Sequence, residues 1–171
     1  VFSDEFEELK AQALDISSWG KNVNVKIPIT NTKAKSSVKL INELSGLGVK
    51  INVTAMMTLE QVQSVLPGLG NGPGGYVSVF AGRIADVGQD PLPIMIEVID
   101  KLQKYPNIEL IWASPRELYN VVQANSIGCH IITATNSILK KLPTLGKDLN
   151  LFSLETVKMF YNDAKDAGYS L

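Results

Sequence analysis

Five short runs of β-branched and aliphatic residues recur along the chain, each followed by a stretch with helical spacing. This strict alternation limits the available folds more than any other feature of the sequence. The runs are residues 23–30, 50–55, 76–80, 108–112 and 129–133, roughly twenty to thirty residues apart. Strands that alternate with helices form parallel sheets with right-handed crossovers, because a parallel neighbour is reached only through a long connection. Two architectures remain, a doubly wound layer and a (β/α)8 barrel. A dinucleotide-binding layer carries Gly-x-Gly-x-x-Gly after its first strand, and no such motif stands there. In at least three of the runs one face is aliphatic while the other mixes polar and bulky residues. Barrel strands have that pattern near a site at their C-terminal ends.

The helices are punctuated by cap and stop residues. Ser3 is the expected N-cap of the first, with Glu5, Glu7 and Glu8 in its opening turn and Gly20 as its stop. Residues 33–47 place Val38, Ile41, Leu44 and Leu47 near helical spacing. Thr58 is the expected cap of a helix from 59 to about 66, ended by Pro67-Gly68. Pro91-Leu92-Pro93 starts a helix that stops near Tyr105-Pro106. Ser114 is read as the next cap, with Pro115 at the first helical position and Gly128 as the stop. Residues 136–142 read as a short helix, and Ser153 as the cap of a last one rich in Leu154, Val157, Met159, Phe160 and Tyr161. Residues 69–75 are a glycine-rich, flexible turn. They precede a strand and lack a Gly-Lys-Ser/Thr ending, which excludes a phosphate-cradling loop of that type.

A chain of 171 residues is long enough for one domain with a sizeable core. Its formal net charge is −1, with acids and bases interspersed, which argues against a nucleic-acid partner or a polybasic membrane contact. No apolar run is long enough to span a bilayer. Cys129 is the single cysteine, so it forms no internal disulfide and defines no metal site, and a reducing cytoplasm is the expected compartment. His130, the only histidine, reads as a satisfied core or rim residue.

The first strand contains the most informative residue. Val23, Val25, Ile27 and Ile29 share one face; Asn24, Lys26 and Pro28 share the other. Lys26 has two readings on these residues alone. Either it stands in water on an edge strand, a device against aggregation, or it points into a closed barrel as a nucleophile.

The motifs Val25-Lys26-Ile27-Pro28, Asn52-Val53-Thr54-Ala55, the stretch from Ser78 through Gly82-Arg83 to Asp86, and Trp112-Ala113-Ser114-Pro115-Arg116-Glu117 resemble those of transaldolases. More narrowly, they resemble the short transaldolase and fructose-6-phosphate aldolase subfamily, in the same order and over nearly the whole chain. The resemblance implies an α/β fold, a (β/α)8 TIM barrel of the class I aldolase type, represented here by about strands 4–8 with their helices. The first two βα units and most of strand 3 would be absent. It implies Schiff-base transfer of a dihydroxyacetone unit from a ketose phosphate, sedoheptulose 7-phosphate or fructose 6-phosphate, to an aldose phosphate in the pentose phosphate pathway. No metal or organic cofactor takes part, and sugar phosphates are the implied partners.

Carried over by motif, Lys26 is the Schiff-base lysine. Asn24, Asn52, Thr54, Ser78 and Phe80 line the pocket, and Arg83, Ser114 and Arg116 hold the substrate phosphate. The residue types suit these roles. A lysine amine attacks a ketone only when neutral, a form favoured by apolar surroundings and nearby cations. Arginine offers phosphate a planar, forked grip. Phe80 stands where the aldolase branch tends to carry tyrosine, which favours transfer over cleavage. Asp86 reads as a structural partner of Arg83. The family's aspartate, asparagine and glutamate on the first three strands, which handle proton transfer, have no counterpart here. The expectation for residues 1–171 is therefore one partial barrel domain, with barrel units to 150 and a C-terminal helix from 151. Its edges would lie open at the lysine strand and at 129–133, and its own activity would be low. A fructose-6-phosphate aldolase-like lyase and a non-catalytic sugar-phosphate-binding fragment remain as alternatives. A homo-oligomer is expected of the full-length protein.

Overall fold

The computed structural model describes residues 1–169. Its strands form one parallel sheet in chain order: β1 (Val25–Pro28), β2 (Ile51–Met56), β3 (Gly75–Val79), β4 (Ile108–Trp112) and β5 (Ile131–Ile132). A helix α1 (Phe6–Ser18) precedes the sheet. The crossovers are α2 (Val38–Gly46), α3 (Leu59–Gly70), the pair α4 (Ala81–Asp86) and α5 (Leu92–Leu102), and α6 (Tyr119–Ser126). Sequential order with right-handed crossovers puts every connection on one face of the sheet. A doubly wound layer reverses its strand order and covers both faces. The architecture is therefore α/β of the partial TIM-barrel kind.

The chain divides into two compact units, Val1–Thr135 and the segment from Asn136 on. The second holds α7 (Asn136–Leu139), a 3-10 turn (Leu142–Thr144) and α8 (Leu149–Asp166). Asp148 Oδ1 caps α8 by accepting from Leu151 N–H at 2.9 Å, and no residue of α8 is buried. Within this unit Lys147 pairs with Glu155 and stands over the Phe152 ring, 4.9 Å from its centroid.

The core of the first unit lies between the sheet and its helices. Val25 and Ile27, Ile51 and Val53, Val77 and Val79, and Ile108, Leu110 and Trp112 face it from the strands. Leu9, Leu40, Ile41, Leu44, Val62, Val65, Leu69, Met95 and Val98 meet them from the helices. One irregularity decides which side chains reach the core. The β2–β3 register breaks between Val53 and Met56, where Ala55 adopts φ 62°. Strict alternation would turn Met56 away from the helices. The bulge restores it to the core, where it is fully buried, while Met57 stays partly exposed.

Several expected boundaries move, each for a local reason. β1 is shorter than residues 23–30, and Thr30 instead bridges Ser36 in the loop beyond. The α1 cap is Glu5, not Ser3. Ser3 lies upstream, where its Oγ accepts from Glu5 N–H at 3.2 Å and donates to Glu8 at 2.5 Å. α3 runs past Pro67 to Gly70 because Leu69, in that extra turn, is buried in the core. β5 shrinks to two residues because the His130 ring takes a ladder position. Its Nδ1 accepts from Leu110 N–H at 3.1 Å, where a strand carbonyl would otherwise stand. Asp148 replaces Ser153 as the cap of α8, which therefore starts four residues before Ser153.

The glycine-rich turn before β3 is a tied one. Asn107 Nδ2 donates to the carbonyls of Gly70 and Gly72, each at 3.2 Å. Gly74 has φ +80°, and a Cβ there would lie 2.0 Å from Asn107 O, so the position needs glycine twice over.

Candidate active site

The face of the sheet away from the helices carries the polar side chains. In register across it, Lys26 pairs with Asn52, Asn52 with Tyr76 and Tyr76 with Glu109. The next rung toward the C-terminal ends brings Pro28 beside Thr54, and Ser78 beside Ile111. Lys26 is exposed on β1, which pairs on one side only. Its ammonium has no hydrogen-bond or ion-pair partner among the described residues; its carbonyl accepts from the Val1 amino group at 3.1 Å. Asn52 and Ser78 are held together: Ser78 Oγ donates to Asn52 Oδ1 at 2.7 Å. That bond leaves the Asn52 amide nitrogen free to donate on the rung of Lys26. Thr54 Oγ1 is buried with no hydrogen-bond partner, an unsatisfied donor and acceptor one rung above Asn52.

The loops after β3 and β4 carry the two arginines. Phe80, whose N–H donates to Met56 O at 2.9 Å, is the residue before α4. Arg83 is exposed on α4 and forms no ion pair among the described residues. The β4–α6 loop lies directly on α4: Gly82 N–H donates to Ala113 O at 3.3 Å, and a Cβ on Gly82 would stand 1.5 Å from Ser114 O and 3.3 Å from Arg116 Nε. Only glycine lets the two loops meet this closely. Arg116 then reaches Asp86 at the end of α4, Nε donating to Oδ1 at 3.0 Å and Nη2 to Oδ2 at 2.5 Å. The partner of Asp86 is thus Arg116, not Arg83 as the sequence suggested, because the Gly82 contact brings the later loop to the end of α4.

Ser114 is not a helix cap. It has φ 57°, and α6 begins only at Tyr119. Asn120 Oδ1 accepts from Arg116 N–H at 2.7 Å and Glu117 N–H at 3.2 Å, so a side chain inside the helix holds residues 116–117 in a turn ahead of it. Non-glycine residues with left-handed backbone occur at Ala34, Ala55 and Ser114. Ala55 and Ser114 lie at or just beyond the C-terminal ends of β2 and β4, the rim at which barrel folds place their chemistry, while Ala34 lies farther out, in the loop that the Thr30–Ser36 bridge closes.

Two separations follow from the sheet. Lys26 stands on β1 and the arginine loops leave β3 and β4, two and three strand spacings away, about 10–14 Å at ~4.8 Å per strand. Asn24 sits at the other end of β1. It lines a cavity of about 210 Å³ with Lys50, Tyr76, Asn107 and Glu109, at the N-terminal ends of the strands and away from the arginine rim. Tyr76 and Glu109 on the Lys26 rung escaped the sequence reading, although Glu109 between Ile108 and Leu110 is the same pattern as Lys26 between Val25 and Ile27. His130 is committed to the sheet edge, and burial pushes the Cys129 thiol up from its ordinary range. No group of three or more His, Cys, Asp or Glu side chains gathers at one point among the described residues.

A parallel sheet wound in chain order, polar on its uncovered face and carrying paired loops at its C-terminal rim, defines an α/β protein of the barrel class. A family model, Transaldolase/Fructose-6-phosphate aldolase, matches residues 1–171, and the chain belongs to that family. Proteins named probable transaldolase are similar to it. The one from Thermoanaerobacter sp. strain X514 is 33% identical over 143 residues, covering 83% of this chain and 62% of the relative. That from Nitrosopumilus maritimus is 31% identical over 144 residues, covering 83% and 61%. That from Streptococcus equi subsp. equi is 34% identical over 137 residues, covering 80% and 60%. The chain thus spans a little over six tenths of the first two relatives and six tenths of the third.

Proposed function

We propose that the chain carries the nucleophile and the phosphate-holding part of a transaldolase. The observation that carries this reading is the placement of Lys26: unpaired, on the face opposite the apolar core, in register with the Asn52–Ser78 pair. In this reading the neutral Lys26 Nζ attacks the carbonyl carbon of a ketose phosphate, and loss of water leaves a protonated imine. The protonated imine takes up the electron pair of the bond one position further on, between the carbons α and β to it: the β-hydroxyl gives its proton to water, the aldose phosphate leaves as an aldehyde, and an enamine stays on Lys26. The three-carbon unit stays on Lys26 until an acceptor aldehyde takes it, and water then frees the amine. Asn52 donates to substrate oxygens beside Lys26, and Arg83, Ser114 and Arg116 face the phosphate. Phe80 has no hydroxyl to hold a hydrolytic water, which favours transfer over release.

Borohydride reduction of the intact protein with fructose 6-phosphate, followed by peptide mass mapping, tests the assignment. The expected adduct is on Lys26 and is lost in Lys26→Arg. An adduct on another lysine, or an active protein with none, refutes it.

A further inference from the structure

We propose that Asp86 is a positioning residue for phosphate recognition, acting through Arg116; this rests on the reading of Arg116 as a phosphate ligand. A guanidinium has five N–H donors on two usable edges. Asp86 occupies the edge made by Nε and Nη2, at 3.0 and 2.5 Å. Nη1 and the second Nη2 hydrogen remain, and they form the end-on fork that suits two phosphate oxygens. The pair is about half exposed, with Arg116 at 49% and Asp86 at 48%, so its value to folding is small. What it supplies is direction. A free arginine side chain samples many rotamers, and each ligand that binds must freeze them. Here the freezing is done before the ligand arrives: the guanidinium is clamped at one end by the carboxylate, and its Nε passes over the bare Cα of Gly82. Arg83, which has no counter-charge among the described residues, supplies the uncompensated positive charge that draws the anion to the same pair of loops.

Simple charge reasoning gives the opposite sign for the key substitution. Removing Asp86 deletes a negative charge near the site and, if charge alone mattered, would tighten an anion. Positioning requires that it loosen. The test uses the intact protein, with inorganic phosphate affinity measured by calorimetry and KM and kcat measured for fructose 6-phosphate and for unphosphorylated dihydroxyacetone. Asp86→Ala is expected to weaken phosphate and raise the fructose 6-phosphate KM by about two- to tenfold, with kcat and the dihydroxyacetone KM little changed. Asp86→Asn, which keeps one acceptor, is expected to fall between wild type and alanine, and it serves as the variant if alanine fails to fold. In an Arg116→Ala background the Asp86 effect is expected to vanish. Tighter or unchanged phosphate binding in the Asp86 variants, while Arg116→Ala weakens it, overturns the role of Asp86 and leaves the site reading standing. Equal losses on phosphorylated and unphosphorylated ligands show Asp86 to be structural and overturn it as well. Phosphate affinity unchanged in Arg116→Ala, or undetectable in wild type, overturns both.

Discussion

Replacing Gly82 by alanine tests the contact that brings the arginine loops together. The new Cβ would lie 1.5 Å from Ser114 O and 2.7 Å from Ser114 C. Those are backbone atoms, so no rotamer change relieves the overlap. The β4–α6 loop has to retreat by about 1.5–2 Å to reach ordinary van der Waals separation. That retreat breaks the Gly82 N–H bond to Ala113 O, worth about 1 kcal/mol. Overpacking adds about 1–3 kcal/mol, so a destabilisation of about 2–4 kcal/mol is expected. Gly46→Ala is the control. Gly46 closes α2 without a positive φ, and a Cβ added there would meet nothing within 4 Å, so alanine is expected to be neutral or to stabilise by up to about 1 kcal/mol. Equilibrium urea unfolding of both variants against wild type reads the difference as a shift in midpoint at constant slope. If Gly82→Ala unfolds at the same midpoint as Gly46→Ala, the two loops are not in the contact described, and the placement of Arg116 beside Asp86 falls with it.

Three further outcomes are expected. Thr58→Ala removes a reciprocal cap, in which Thr58 Oγ1 accepts from Gln61 N–H and Gln61 Oε1 accepts from Thr58 N–H; a loss of about 1 kcal/mol in urea unfolding is expected, and no change refutes the cap. Asp4 is held below the usual carboxylate range by the Thr32 N–H and by Lys33, so its contribution is present above the unfolded carboxyl's range and disappears as pH falls through its own lower value. The stability gap between wild type and Asp4→Asn should accordingly narrow as pH falls below about 4, and a gap that does not narrow at all between about pH 5 and about pH 2 contradicts the assignment. Cys129, with its thiol raised by burial, should react with iodoacetamide at pH 7.4 well below the rate of a free cysteine, and equal rates rule out its buried setting.

The parallel, helix-crossed sheet was legible because each strand advertises itself: Val25 and Ile27 flank Lys26, and Ile108 and Leu110 flank Glu109. The same alternation assigned Lys26, Asn52 and Ser78 to one face, and the register brings them there. What stayed hidden depends on contacts between distant segments. Nothing local to Ser114 reveals that Asn120 folds back to cap the turn ahead of α6, or that Asp86 waits for an arginine thirty residues on. The bulge at Ala55 is equally silent, since alanine carries no turn signal; it is forced by the demand to bury Met56. Pro67 read as a stop because a proline ends a helix on local grounds, yet the burial of Leu69 outweighs the lost hydrogen bond.

The strand order of the sheet also bears on how the chain assembles. Among the described strands, every paired neighbour is also the next in the chain: β1 with β2, β2 with β3, β3 with β4 and β4 with β5. Loop-closure entropy is therefore met in short instalments, each compensated as soon as one more helix covers one more strand. Such a sheet can grow by accretion from β1 toward β5 while the chain is still emerging from a ribosome. Within the described sheet the pairing of Lys26 with Asn52 then precedes the Arg116–Asp86 clamp, which closes only when β4 has been laid down.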